Sequence, residues 1–121
     1  MIRLSWVVAT ILCMLFAGCW QKDVAHSFYT SGKVRTSAIV RNNLLDGPST
    51  MYYESGATMS EANYRAGMLN GKSTSYYENG NKKAVAEYKD GVLHGLSIKW
   101  TEDGREENRA NFVNGVLQTG G

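Results

Sequence analysis

The sequence predicts an all-β protein, an antiparallel meander of about four 24-residue β-hairpin repeats preceded by an N-terminal signal helix. The main observation is a motif that recurs every 24 residues, an aromatic pair followed by an acidic residue and a glycine. The motif occurs as Tyr52-Tyr53-Glu54-x-Gly56, as Tyr76-Tyr77-Glu78-x-Gly80 and, with changes, as Trp100-Thr101-Glu102-x-Gly104. The other observation is a short apolar stretch near the N-terminus. It precedes the first repeat and predicts a leader.

Residues 1–18 have the features of an export signal. Arg3 precedes an apolar stretch from Trp6 to Phe16, and two small residues follow before Cys19. A membrane-spanning helix needs roughly 20 apolar residues. We therefore predict a leader, and a permanent transmembrane anchor is the alternative.

The end of this leader, Leu15-Phe16-Ala17-Gly18-Cys19, resembles the lipobox of bacterial lipoproteins, with Phe16 where Leu is commonest. The resemblance implies cleavage before Cys19 and acylation of Cys19 with palmitate-type chains. Two or more acyl chains anchor a protein stably on a bilayer. We expect a membrane-anchored protein of the bacterial cell envelope, with inner and outer membrane both open. The alternative is an ordinary secretory signal with a cysteine near its cleavage site.

The remaining composition argues against several kinds of site. Cys13 would leave with the leader and Cys19 would carry lipid, so no thiol is left for a disulfide, a metal or catalysis. The formal charge of the whole chain is +2, and the two signs are interspersed, which argues against nucleic-acid binding. Residues 19–27 show no period and are expected to form a tether to the repeat domain, residues 28–121.

The repeat domain divides into units of 24 residues. Units two and three are identical at 11 of 24 positions without an insertion. A degenerate first unit and a truncated fifth unit, Val116-Leu117, are expected to cap the array. The units are residues 28–43 for unit one, 44–67 for unit two, 68–91 for unit three and 92–115 for unit four.

Each unit carries glycines at three recurring positions, and all of them are predicted to be turn corners because glycine accepts a positive φ. Asn79-Gly80 and Asp103-Gly104 are typical of two-residue hairpin turns. The predicted turn glycines are Gly47, Gly56, Gly67, Gly71, Gly80, Gly91, Gly95, Gly104 and Gly115.

Alternation along the strands predicts two different faces. Alanine recurs on the second strand of each unit, at Ala38, Ala62, Ala86 and Ala110. Larger apolar residues follow two positions later, at Val40, Tyr64, Tyr88 and Phe112, and share that face. We expect Tyr52, Tyr76 and Trp100 on the alanine side as well. Tyr29, Tyr53 and Tyr77 are the candidate partner-binding residues, with Tyr53 and Tyr77 expected on the opposite, polar face.

The repeat resembles the MORN-repeat-variant family, whose unit is roughly G-x-x-x-x-Y-Y-x-N-G followed by a later Tyr and Gly. In unit three the residues that carry this resemblance are Gly71, Tyr76, Tyr77, Asn79, Gly80, Tyr88, Gly91 and Gly95. The resemblance covers about residues 28–119, and unit four departs from it with Trp100-Thr101. It implies elongated hairpin arrays used for protein contacts or membrane association, and it implies no catalytic residue. Many bacterial proteins of this kind are labelled YwqK-type antitoxin components.

No constellation predicts catalysis, a metal site or a cofactor. His26 and His94 are 68 residues apart, and His94 is expected in a turn. Glu54, Glu78 and Glu102 recur one unit apart, just before each predicted turn, so turn polarity explains them.

Taken together, the sequence predicts a lipid-anchored, non-catalytic scaffold that binds another envelope protein of unknown identity. Two alternatives stay open. One is a membrane-association module, and the other is an antitoxin or immunity-type inhibitor of a partner toxin. The oligomeric state is not determined by the sequence.

Overall fold

The structure, a computed structural model, describes residues 22–120. These residues form one antiparallel sheet, and no helix occurs among them. The strands lie in the order β1-β2-β3-β4-β6-β7-β8-β9-β10, and β5 pairs with β4. The all-β meander of about four hairpins is confirmed, while the signal helix lies outside the described residues. The strands are β1 Asp23–Phe28, β2 Val34–Arg41, β3 Leu44–Tyr52, β4 Thr58–Arg65, β5 Met68–Leu69, β6 Gly71–Tyr76, β7 Lys82–Lys89, β8 Val92–Trp100, β9 Glu106–Val113 and β10 Val116–Leu117.

The first strand corrects the expected tether at residues 19–27. β1 begins at Asp23 and pairs along its length with β2, from Asp23 opposite Val40 to Phe28 opposite Val34. All six side chains of β1 are exposed. Because main-chain pairing forms this strand and no face of it is buried, its sequence shows no apolar period.

The hairpin within unit three closes with a three-residue loop. Tyr77 N–H donates to the carbonyl of Asn81 at 2.8 Å, and Gly80 N–H donates to the carbonyl of Tyr77 at 2.9 Å. Gly80 has a φ of 89°, whereas Asn79 is not among the residues with positive φ. This is a type I turn followed by a glycine bulge, so the predicted two-residue turn at Asn79-Gly80 is wrong. The side chain of Asn79 accepts from Asn81 N–H at 2.9 Å and thereby holds Asn79 in the turn.

The same three-residue loop closes unit four, so the two-residue prediction is also wrong for Asp103-Gly104. Thr101 N–H donates to the carbonyl of Arg105 at 2.8 Å, and Gly104 N–H donates to the carbonyl of Thr101 at 2.9 Å.

The two-residue turns lie between the units instead. Arg65 pairs directly with Met68, and the intervening Ala66 and Gly67 have φ values of 48° and 81°. Positive φ at both central residues is the mark of a type I′ turn. The equivalent turns are Asn42-Asn43, Asp90-Gly91 and Asn114-Gly115, all with positive φ.

One set of glycines lies in strands and not at turn corners, which corrects the prediction for Gly47, Gly71 and Gly95. Their φ values are 134°, 100° and 121°. A Cβ on Gly47 would lie 3.1 Å from Cβ of Ile39, and one on Gly95 would collide with Glu87. Glycine is therefore required here because the neighbouring strand approaches closely beside an irregularity in register.

Strand register divides the side chains between two faces, because paired residues share a face and successive residues alternate. We call one of them the alanine face. Its central row of small residues crosses the sheet as Ala25, Ala38, Ser49, Ala62, Ser73, Ala86, Ser97 and Ala110. Tyr64, Tyr88 and Phe112 stand two positions further along the same strands, so they share this face as predicted.

The other face, which we call the charged face, includes Glu61, Lys72, Glu87 and Arg109. Tyr52, Tyr76 and Trp100 also belong to it, so their predicted place beside the alanines is wrong. Ser73 pairs with Ala86 on the alanine face, and Tyr76, three residues further on, must therefore point the opposite way.

A single layer of sheet buries little. In residues 22–120 the buried apolar side chains are Ala38, 4% exposed, and Ile98, 9% exposed, and the buried polar one is Thr74. Strand pairing and contacts between units must therefore supply most of the stability.

Candidate functional site

A column of tyrosines joins each unit to the next at the loop end of the hairpins. The hydroxyl of Tyr29 donates to the carbonyl of Tyr52 at 2.6 Å. Tyr53 donates to the carbonyl of Tyr76 at 2.8 Å, and Tyr77 donates to the carbonyl of Trp100 at 2.9 Å.

These are the three residues predicted to contact a partner. Each of the rings at 29, 53 and 77 is half-buried, so the expectation that they are openly exposed is wrong. Each ring lies against the following unit, where its hydroxyl finds a main-chain acceptor. Lys83 Nζ lies 5.5 Å from the centre of the Tyr77 ring and covers part of it. In unit four Thr101 replaces the tyrosine, and its hydroxyl accepts from Arg105 N–H at 3.1 Å in its own loop.

A second column joins the units at the opposite end of the hairpins. Gly67 N–H donates to the carbonyl of Leu45, Gly91 to that of Leu69, and Gly115 to that of Leu93, at 2.7 to 2.8 Å. Each donor is the second residue of a type I′ turn. The positive φ of these turns therefore also aims an N–H at the preceding unit.

Side chains reinforce this second column, and the sequence pattern did not indicate them. Asn70 Oδ1 accepts from Asp90 N–H at 3.4 Å. His94 occupies the equivalent position one unit later, and its Nδ1 lies 3.2 Å from Asn114 N, whose N–H donates to it. The only available signal was that 46, 70 and 94 each hold a side chain that can accept a hydrogen bond. His94 supports a turn, as expected.

The charged face carries a row of rings with a 24-residue period, Tyr52, Tyr76 and Trp100, all half-buried. Two of the three most buried side chains, Thr74 and Ile98, lie on the same face two residues before Tyr76 and Trp100. Beside them is an open cavity of about 300 Å³, with Thr50, Glu61, Lys72 and Thr74 in its lining. The row combines large rings with polar groups on one side of a hydrogen-bonded sheet.

Tyr76 makes one defined polar contact in this row. Its hydroxyl donates to Glu61 Oε2 at 2.9 Å. That hydrogen bond, then burial, then the negative charge of Glu61 raise the pKa of Tyr76 above its ordinary value of 10.0. Tyr76 is therefore a neutral hydrogen-bond donor at physiological pH, and it holds the Glu61 side chain in place.

Charged groups near the last hairpin pair locally. Hydrogen bonds from the Thr101 hydroxyl and from Arg105 lower the pKa of Asp103. Arg109 donates twice to the carboxylate of Glu106, at 2.8 Å for each bond, and lowers the pKa of Glu106. All of these groups are exposed, so we assign them loop polarity and no chemistry.

Some predictions concern residues that the structure does not describe or features that it lacks. The leader at residues 1–18 and the lipidation site Cys19 lie outside the described residues. Residues 22–120 bring no three metal-binding side chains together. Nor do they contain a helix with the length and hydrophobicity to span a membrane.

Comparisons with known proteins follow this geometry. No curated protein sequence matches the chain. Among solved structures it is similar to a chain from the crystal structure of a GtfA/B complex bound to UDP and GlcNAc, with 12% identity and a TM-score of 0.40. That similarity covers 84% of this chain and 25% of the other, so this chain spans about a quarter of the length of the one it matches. The family model described as MORN repeat variant matches residues 45–66 and 69–90, within units two and three. The chain is therefore a repeat protein that carries MORN repeat variants.

Proposed function

We propose that this protein is a lipid-anchored bacterial envelope protein whose sheet is a non-catalytic scaffold for binding another envelope protein. The observation that carries the proposal is the row formed by Tyr52, Tyr76 and Trp100 on the charged face. Tyrosine and tryptophan are enriched at the energetic centres of protein interfaces, where they combine large contact area with a polar group.

The spacing of this row suits an extended partner. Adjacent strands lie about 4.8 Å apart, so equivalent rings two strands apart repeat at about 9.6 Å. Glu61, Lys72 and Arg109 lie among or beside the rings and offer both signs of charge for a polar rim. Tyr29, Tyr53 and Tyr77 hold the units in register, and we place the exposed part of their rings at the edge of the contact.

Photo-cross-linking in intact cells tests the contact face. A photoreactive residue replaces Lys72 on the charged face or, as the control, Lys99 on the alanine face, both of which are exposed. We expect position 72 to give one discrete adduct with a different protein, and we expect Trp100→Ala to abolish that adduct. Equal heterologous adducts from both positions, or none from position 72, would contradict the proposed face.

The anchor would bring the sheet close to the bilayer. Asp23, the first residue of β1, follows Cys19 by four residues. Such a segment spans about 14 Å at most when fully extended. With Cys19 acylated, β1 would therefore be the strand nearest to the membrane.

Metabolic labelling with an alkyne analogue of palmitate tests this anchor. We expect the intact chain and Cys13→Ala to carry the label and Cys19→Ala to lose it, because Cys13 belongs to the leader. Label that persists in Cys19→Ala, or is absent from the intact chain, would refute lipidation at Cys19.

A second function, membrane association by the sheet itself, is favoured by one observation. Four apolar side chains at the turn end of the charged face have a 24-residue period and are about half exposed, namely Leu44, Met68, Val92 and Val116. Arg41, Arg65 and Lys89 pair with the first three of them across the type I′ turns. If the sheet binds membranes, Met68→Glu with Val92→Glu should reduce flotation of the chain with anionic vesicles. Unchanged flotation would leave the lipid anchor as the route to the membrane.

A further inference from the structure

We propose that two copies of this protein pack alanine face to alanine face as a homodimer. This surface is separate from the charged face, and the inference does not depend on the partner proposed there. The argument uses the charge of the alanine face, its shape and its area.

The alanine face is almost uncharged. Of the residues that register places in its central row and in the rows on either side, only Asp23 and Lys99 carry charge. The charged face holds Glu61, Lys72, Glu87 and Arg109 within two rows. A two-fold interface brings identical surfaces together, so a surface of one sign would repel itself. The alanine face avoids this cost, and a second copy is the one partner known to match it in polarity.

The shape of the face also suits a second sheet. Its central row alternates alanine and serine across the sheet and forms a low strip. Tyr64, Tyr88 and Phe112 stand higher along one side of this strip and remain half-exposed. Packed sheets lie about 10 Å apart, with side chains of the two inner faces interdigitating. Small residues in the middle allow such close approach, and the flanking rings supply apolar area that one layer leaves in contact with water.

The area is of the size that a dimer needs. The eight strands that carry this face span about 34 Å, and five residues along each strand span about 16 Å. The projected area is then roughly 550 Å² per copy, and accessible area exceeds the projection because side chains stand out from a pleated surface. A standard interface buries about 800 Å² per partner. A second copy therefore gives this sheet the second layer that it lacks among the described residues.

Thiol cross-linking of the full chain in native membranes tests the dimer. Ser73 lies in the central row on β6, near the middle of the sheet, so a central two-fold axis brings it close to its copy. We expect mild oxidation of Ser73→Cys to give a disulfide-linked dimer on a non-reducing gel. Lys72→Cys is the matched control, because it is the adjacent residue, points from the charged face and is more exposed. The parent chain corrects for Cys13 and Cys19.

Chance collisions would favour the more exposed thiol, whereas a face-to-face dimer favours Ser73→Cys. Equal or greater cross-linking of Lys72→Cys would overturn the proposal, as would no linked dimer from Ser73→Cys.

A charge placed on the face gives an independent check. In the Ser73→Cys chain, Ala86→Arg should abolish the linked dimer, whereas Val85→Arg on the opposite face should retain it. Circular dichroism must show β-structure for both variants. If Ala86→Arg fails to fold, Ser97→Lys on the same row replaces it. A dimer that survives arginine or lysine on the alanine face would overturn the proposal.

Discussion

At the scale of residues, one hydroxyl group explains why an aromatic pair recurs in each unit. The first ring of the pair, such as Tyr76, belongs to the charged face, and the second, Tyr77, donates to a carbonyl of the next unit. Phenylalanine at position 77 would pack equally well but could not make that bond. Tyr77 is therefore specified by its neighbouring unit as well as by its own loop.

Tyr77→Phe should lower the free energy of unfolding by about 1 kcal/mol, the usual net contribution of one hydrogen bond. Tyr53→Phe should act similarly, because its hydroxyl makes the same bond to Tyr76. The measurement is urea-induced unfolding followed by circular dichroism. Tyr64→Phe is the matched control. An equal loss in that variant would show that the inter-unit bond is not the cause.

The face of Tyr76 shows where sequence analysis stops at this scale. Alternation assigns faces correctly within one strand, as for Ala62 and Tyr64. It does not say which face of the next strand is the same one, because that depends on the pairing register across the loop. Register is a property of two strands together, and pairing Ser73 with Ala86 sends Tyr76 to the charged face.

At the scale of elements, two kinds of turn alternate along the chain and perform different tasks. The three-residue loops present the tyrosines that reach the next unit, and the type I′ turns present glycine N–H groups to the preceding unit. Each hairpin is thus fastened at both ends. The glycine spacing predicted where the chain turns, except at Gly47, Gly71 and Gly95. It did not predict the loop length, because a type I loop with a glycine bulge and a two-residue turn share the Asn-Gly signal.

The Ala66-Gly67 turn is the weakest of its kind. Ala66 has a φ of 48°, and the equivalent residues at positions 42, 90 and 114 are Asn, Asp and Asn. Asparagine tolerates this left-handed conformation better than alanine does. Ala66→Asn should therefore raise the urea midpoint, with a gain of up to about 1 kcal/mol. Ala66→Val, whose branched side chain is poorly suited to positive φ, should lower the midpoint. The same direction for both variants would refute this explanation.

At the scale of the whole molecule, the protein is a row of units that contact mainly their neighbours. The 24-residue period was sufficient to predict the number of hairpins and their antiparallel order. It could not predict β1, which shows no apolar period because all its side chains are exposed. Nor could it predict that the sheet has one layer in residues 22–120, because an apolar side chain looks the same in a sequence whether or not another layer covers it.

Removal of one complete unit tests this description. Deletion of residues 68–91 joins Gly67 to Val92 and places the Tyr53 hydroxyl where it can meet the carbonyl of Trp100. The shortened chain should fold, with cooperative urea unfolding and a smaller m value, because m scales with the surface exposed on unfolding. Deletion of residues 68–79 removes half a unit and should prevent native folding. Similar behaviour of the two deletions would contradict a modular array.

The tyrosine column has a consequence for how such a protein grows and folds. Each of its bonds joins residues separated by 23 positions, whichever pair of units it connects. Folding rates fall as contacting residues become more distant in sequence. Here that separation stays constant when units are added, so a gene duplication of one period lengthens the sheet without requiring a longer loop to close. The chain can evolve a longer surface while each new unit folds onto its neighbour as easily as the last.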